Sequence, residues 1–131
     1  MKPVALVVLL ALAACAPAQQ NSLTPSLSPP GDAYTCLLRE LSIMGYAVTD
    51  TDRESGFVKA EKQDDNSWVA GAYFTLITAI VIPAEAGAGS EIQLTVARAR
   101  EEEGGERSTS GMMLTGNAKE DAGRLSAACS G

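Results

Sequence analysis

The sequence predicts an α+β domain of two layers: an N-terminal helix, an antiparallel sheet of about four to five strands and a C-terminal helix, with both helices on one face of the sheet. Two observations favour this fold class. Apolar residues recur at helical spacing near residue 33 and again near residue 118. Between these segments, short runs of apolar and polar residues alternate and are separated by turn-forming residues, which is typical of antiparallel strands. The predicted domain, residues 32–131, is long enough for one hydrophobic core.

Both helices are predicted from their capping residues and apolar stripes. The first is expected to begin with Asp32 as its N-cap and to end at Gly45. The second is expected to begin with Asn117 as its N-cap. The apolar stripes are Ala33, Leu37, Leu41 and Met44 in the first helix, and Ala118, Ala122, Leu125 and Cys129 in the second.

The strands are predicted from alternation and from β-branched content. Residues 50–56 are expected to form a polar turn, and residues 101–106, with Gly104-Gly105, a hairpin loop. The longest strand is rich in β-branched and aromatic residues, with a bend or bulge expected at Gly71, and Pro83 closes it. The predicted strands are residues 46–48, 57–62, 68–82, 92–96 and 108–114.

The N-terminus has the pattern of a secretory signal peptide. Lys2 supplies a positive charge, residues 4–12 are continuously apolar, and Ala13-Ala14 are the small residues that a signal peptidase needs. The apolar run is too short to span a bilayer, which needs about 20 residues. Residues 1–14 are therefore expected to be removed.

The four residues Leu12-Ala13-Ala14-Cys15 resemble the lipobox of bacterial lipoproteins. The resemblance implies that Cys15 becomes the new N-terminus and carries the lipid chains, palmitate among them, that anchor the protein in a membrane of the cell envelope. In that family Ala16 after the cysteine favours the periplasmic side of the outer membrane, where the organism has one. The alternative is a plain secretory signal cleaved near Ala16 or Ala18, which would release a soluble protein.

Residues 15–31 are predicted to be the lipidated cysteine and an extended tether. Four of residues 16–31 are proline, none is charged, and no apolar period is present. Removal of the signal peptide takes away Lys2 and changes the net charge from −6 to −7. Because an anionic leaflet repels such a charge, the domain is expected to stand off its membrane.

A disulfide is predicted between Cys36 and Cys129. If Cys15 carries the lipid, these are the remaining two of the three cysteines. In an oxidising envelope, an even pair in a small domain is most simply a disulfide. The alternative is two unpaired buried thiols, while the absence of a Cys-x-x-Cys spacing argues against a redox-active pair.

Composition argues against several functions. The chain has no histidine, which excludes Ser-His-Asp and Cys-His catalysis. Its net charge of −6 argues against nucleic-acid binding. Residues 50–61 imitate a calcium-binding loop, but the glycine is at the seventh position instead of the sixth, so a hairpin turn with solvated carboxylates explains them better. No cofactor or metal is predicted, and the protein is expected not to be an enzyme.

Three aromatic residues, Trp68, Tyr73 and Phe74, are candidates for lining a ligand groove under the helices. The alternative, which is commoner in a core this small, is that they pack against other core residues.

One further motif consists of Gly45, Tyr46, Val48, Asp52, Arg53, Gly56 and Phe57. In these residues the domain resembles the start of the domains of BamC-type lipoproteins, accessory components of outer-membrane protein assembly. The resemblance implies a helix-grip fold, in which a sheet wraps a long helix, and a role in binding other proteins. We therefore expect a membrane-tethered, protein-binding accessory in envelope assembly or maintenance. The alternative is a carrier or sensor of a small apolar ligand held between sheet and helices.

Overall fold

The computed structural model describes residues 19–64, 73–85, 87–102, 104–109 and 114–131. These residues form an antiparallel sheet and two helices, which confirms the α+β fold class. In chain order the elements are β1 (Gln19–Ser26), α1 (Pro30–Ile43), β2 (Ala47–Asp52), β3 (Phe57–Gln63), β4 (Tyr73–Pro83), β5 (Ser90–Glu101), β6 (Arg107–Ser108) and α2 (Gly116–Cys129). The strand order across the sheet is β1-β5-β4-β3-β2, and β6 also pairs with β5.

The sheet begins with a strand where the sequence predicted a tether. Gln19–Ser26 pairs antiparallel with β5 over its whole length, so the structure differs from the prediction that residues 15–31 are an extended linker. Backbone pairing and short polar contacts hold this strand: Ser26 Oγ donates to the carbonyl of Cys129 at 2.7 Å, and Leu27 N–H donates to the carbonyl of Ser130 at 3.0 Å. Because Ser26 is its only buried residue, β1 has no apolar pattern to reveal it.

Both helices start earlier than predicted: the N-cap of α1 is Pro29, three residues before Asp32, and the N-cap of α2 is Thr115, two residues before Asn117. Helix α1 begins at Pro30. Proline suits the first helical position, because an N–H there has no partner within the helix and the fixed φ of proline is close to the helical value. Asp32, predicted as the N-cap, lies in the first turn, where a carboxylate faces the positive end of the helix dipole. Helix α2 is capped by Thr115, whose Oγ1 accepts from Ala118 N–H at 3.1 Å, and not by Asn117.

The central strands match the predicted ones, with different lengths. Strand β2 extends to Asp52 into the predicted turn, and β5 extends to Glu101. Strand β6 is only two residues long, and residues 110–113 of the predicted return strand 108–114 lie outside the described residues. Gly71, where a bend was predicted, lies outside them as well.

The core contains the inward residues of both helices and of β3, β4 and β5. One cluster joins the buried positions of α1 and α2 to alternate residues of the three strands. The residues with no more than 1% exposure include Leu37, Leu41, Leu125, Val58, Ile77, Leu94 and Val96. The predicted apolar stripes of the two helices are therefore the surfaces that they bury.

Candidate functional site

The two helices are covalently joined at the end of the core. Cys36 of α1 and Cys129 of α2 form the predicted disulfide, with 5.7 Å between their Cα atoms and a separation of 93 positions in sequence. Cys129 is buried and Cys36 is half-buried. Because the carbonyl of Cys129 also accepts from Ser26 Oγ, β1, α1 and α2 meet at this point.

Next to the core, three polar residues occupy inward positions on β3, β4 and β5 and form one row across these strands. Lys62 of β3 is paired with Thr75 of β4, and Thr75 is paired with Arg98 of β5. In each strand these residues continue the inward alternation that Ala60, Ile77 and Val96 begin. They form one wall of a pocket of about 270 Å³. We call it the polar pocket; its lining is Lys62, Gln63, Asp64, Thr75, Arg98, Thr115, Gly116, Asn117, Ala118 and Asp121.

A network of hydrogen bonds and ring contacts orders the charged groups of the polar pocket. Asp64 accepts from Thr75 Oγ1 at 3.2 Å and from Arg98 Nε at 3.1 Å, so both of its carboxylate oxygens are used. The Arg98 guanidinium also lies 4.6 Å from the centre of the Tyr73 ring. Lys62 Nζ donates to the carbonyl of Met44 at 3.0 Å. The two cations are thus held in place without a ligand.

Asp121, which lines the polar pocket, is contacted by the core residue Tyr46. The Tyr46 hydroxyl donates to Asp121 Oδ2 at 2.8 Å, and only 5% of Tyr46 is exposed. Burial raises the pKa of the Tyr46 phenol above its ordinary value of 10.0, and the hydrogen bond to Asp121 and the negative charge of Asp121 raise it further. The phenol therefore stays protonated under conditions that ionise an exposed tyrosine.

This raised pKa predicts a specific loss of stability in alkali. The folded state keeps a proton on Tyr46 that the unfolded chain releases above about pH 10, so this contribution is present below that pH and declines above it. Between about pH 9 and pH 11 we expect the wild type to lose roughly 1 kcal/mol more free energy of unfolding than Tyr46→Phe. Urea titrations of both proteins at each pH measure this difference. The contributions of titrating groups that both proteins share cancel when the two free energies of unfolding are subtracted. Parallel losses would contradict it.

The other side of the sheet carries the alternate residues of the same strands. We call it the second face; it consists of Phe57 and Lys59 on β3, Leu76, Thr78, Ile80 and Ile82 on β4, Gln93 and Thr95 on β5, and Leu23 on β1. The four β4 residues are each half-buried, and Leu23 is 57% exposed. Apolar side chains on this face thus remain in partial contact with solvent.

The structure describes two of the three residues predicted to line an aromatic groove. Tyr73 and Phe74 are consecutive residues of β4, so their side chains point to opposite faces of the sheet. Tyr73 lies on the side of the polar pocket and contacts Arg98, whereas Phe74 lies on the side of the second face. These two residues therefore do not line one groove between sheet and helices. Trp68, the third residue, and Cys15, the predicted lipid site, lie outside the described residues.

The residues of the polar pocket were not predicted, although the sequence contains a signal for part of it. Continuing the alternation of Ile92, Leu94 and Val96 places Arg98 at an inward position, where a charged residue needs a partner. The same extension of the Val58 and Ala60 alternation places Lys62 inward. A charged residue at the end of an apolar alternation is thus the pattern that marks this site.

Two further properties concern membranes and metals. Neither helix of the described chain has the length and apolar content needed to cross a bilayer. In residues 19–64, 73–85, 87–102, 104–109 and 114–131, no three or more His, Cys, Asp or Glu side chains are grouped as metal ligands would be.

Comparisons with known proteins show little similarity in sequence. No family model matches the chain, and no curated protein matches it. Among solved structures, a DUF4468 family protein from Bacteroides ovatus ATCC 8483 is similar, with 7% sequence identity, a TM-score of 0.42, and coverage of 84% of this chain and 78% of that chain. Ara h 8.0201 is similar with 11% identity, a TM-score of 0.38, and coverage of 86% of this chain and 94% of that chain. Functional inference therefore rests on the residues of this chain.

Proposed function

We propose that this protein is a non-enzymatic envelope lipoprotein that binds another protein in envelope assembly or maintenance. In this proposal residues 1–14 are removed, Cys15 carries the lipid, and the domain is held on the periplasmic side of the outer membrane in an organism that has one. The lipobox Leu12-Ala13-Ala14-Cys15 supports the anchor. In this proposal both helices cover one face of the sheet, which leaves the second face for the partner.

The observation that carries the proposal is the apolar character of the second face. Ile80 lies between Phe57 on β3 and Gln93 on β5, and Leu76 is paired with Ala97 on β5. Partly exposed apolar side chains that adjoin one another at the centre of a sheet are typical of surfaces that bind proteins.

A polar row crosses the middle of the second face and would give binding its specificity. Lys59, Thr78 and Thr95 are paired across β3, β4 and β5, and Thr95 Oγ1 donates to Asn21 Oδ1 on β1 at 2.9 Å. Lys59 is exposed. A partner surface with apolar side chains and an acidic group opposite Lys59 would complement this arrangement.

Site-specific photo-cross-linking in intact cells tests the proposal. A photoreactive phenylalanine analogue at Thr78, in the centre of the second face, is expected to form a discrete covalent adduct with an envelope protein. The same analogue at Lys119, an exposed position on α2, serves as the matched control and is expected not to form that adduct. Ile80→Asp should abolish the Thr78 adduct, and Cys15→Ser should release the protein from the membrane fraction. Equal adducts from both positions, or none from Thr78, would contradict binding through the second face.

The alternative function, a carrier of a small apolar ligand between sheet and helices, gains no support from the described part of the chain. That space contains Leu37, Leu41 and Leu125 from the helices, packed in one cluster with Ile77 and Leu94 from the sheet. Each of these residues is at most 1% exposed.

A further inference from the structure

We propose that the polar pocket binds a small zwitterion, such as a free α-amino acid, with the ligand carboxylate at Lys62 and Arg98 and the ligand ammonium at Asp121. The volume of about 270 Å³ is slightly below the roughly 300–1,000 Å³ of sites for drug-sized molecules, so the ligand is small. The inference is independent of the protein partner proposed for the second face, because the polar pocket lies on the other side of the sheet.

Among the described residues, the charges that line the polar pocket are balanced. Lys62 and Arg98 are cationic, and Asp64 and Asp121 are anionic. A simple anion would meet two carboxylates there, and a simple cation would meet two positive groups. A zwitterion presents one charge of each sign, so it can satisfy both kinds of lining group at once.

The hydrogen bonds already made decide which groups remain for a ligand. Lys62 has three ammonium hydrogens and uses one for the carbonyl of Met44. Arg98 uses Nε for Asp64, and within the described residues its terminal nitrogens donate to no acceptor. These two side chains therefore have donors available for a carboxylate.

The hydrogen bonds already made by the two carboxylates indicate which of them accepts from the ligand ammonium. Both oxygens of Asp64 are used by Thr75 and Arg98. Asp121 accepts from Tyr46 at Oδ2, and among the described residues its other oxygen, Oδ1, accepts from none. Asp121 is thus the carboxylate in the polar pocket with an oxygen that no described residue contacts, and we assign the ligand ammonium to it.

Contacts within the protein order the cationic side of the polar pocket. Arg98 is fixed by the 3.1 Å ion pair with Asp64 and by the ring of Tyr73, and Lys62 lies 5.5 Å from the centre of the Tyr46 ring. Charged groups that are already fixed lose little conformational entropy on binding, which favours recognition of even a small molecule.

Amide chemical-shift titration of the full chain in detergent micelles tests the proposal. Glycine and L-alanine, added separately, are expected to shift the amide signals of residues that line the polar pocket. N-acetylglycine lacks the ammonium and glycinamide lacks the carboxylate, so each is expected to bind at least about tenfold more weakly than glycine.

Three variants place the effect in the polar pocket. Lys62→Met and Asp121→Asn are each expected to weaken glycine binding by at least about tenfold, and Asp121→Asn keeps an oxygen to accept from Tyr46. Lys59→Met, on the opposite face of the same strand, is the matched control and should bind glycine as the wild type does. The far-ultraviolet circular dichroism of each variant checks its folding. Absence of shifts at about 100 mM glycine or alanine, or equal binding of either blocked analogue, would overturn the proposal.

Discussion

Replacing Cys36 with serine is expected to lower the free energy of unfolding by about 4–5 kcal/mol, the largest effect we predict. The disulfide closes a loop of 93 residues between α1 and α2. Without it the unfolded chain gains conformational entropy, which lowers the free energy of unfolding. Cys36 is the better position to change, because it is half-buried and a serine hydroxyl there can reach solvent. The buried Cys129 thiol then remains as a small apolar group.

Urea unfolding of the oxidised wild type and of Cys36→Ser measures this loss. A reductant should destabilise the wild type to a similar extent and leave Cys36→Ser unchanged, which separates the cross-link from any packing effect of the substitution. A difference of less than about 1 kcal/mol between the two proteins would show that the cross-link does not limit the unfolded chain as expected.

Gly56→Ala is expected to cost about 2–4 kcal/mol. Gly56 has φ +70°, which favours glycine, and a Cβ atom there would lie 2.3 Å from the carbonyl oxygen of Val81 on β4. The Gly56 carbonyl also accepts from Val81 N–H at 3.0 Å, so the two backbones cannot separate without losing this bond. The substitution therefore strains the turn between β2 and β3 and also displaces the neighbouring strand.

Gly87→Ala is the matched control for Gly56→Ala. Gly87 has a similar φ of +88°, but an added Cβ would meet no atom within 4 Å. Its expected cost is about 1 kcal/mol, from the backbone conformation alone. Thermal or urea unfolding of both variants measures the difference, and equal losses would mean that the approach of Gly56 to β4 is not the source of the larger cost.

The sequence predicted those parts of the fold that local periodicity determines. The stripe of Leu37 and Leu41, the alternation of Leu94 and Val96, and the disulfide were all predicted from spacing or composition and are present. Strand β1 was missed because its side chains are mostly exposed and its order comes from pairing with β5, which is about 70 residues away in the chain.

The candidate site was harder to predict, because it depends on the register between strands. Lys62, Thr75 and Arg98 lie in three separate segments, and only the pairing of β3, β4 and β5 brings them into one row. For two residues of the predicted aromatic groove the sequence already contained the relevant information, because a strand that contains Tyr73 and Phe74 directs them to opposite faces.

Because β1 includes Gln19, the linker between the domain and a lipid on Cys15 would be shorter than the predicted tether of residues 15–31. If Cys15 carries the lipid, the three residues 16–18 lie between it and Gln19, the first described residue of β1. At no more than about 3.6 Å per residue, four steps of chain reach roughly 14 Å. A domain anchored by so short a linker would rotate about one point at the sheet edge and would stay close to the membrane. Its partner would therefore have to be located at the same leaflet.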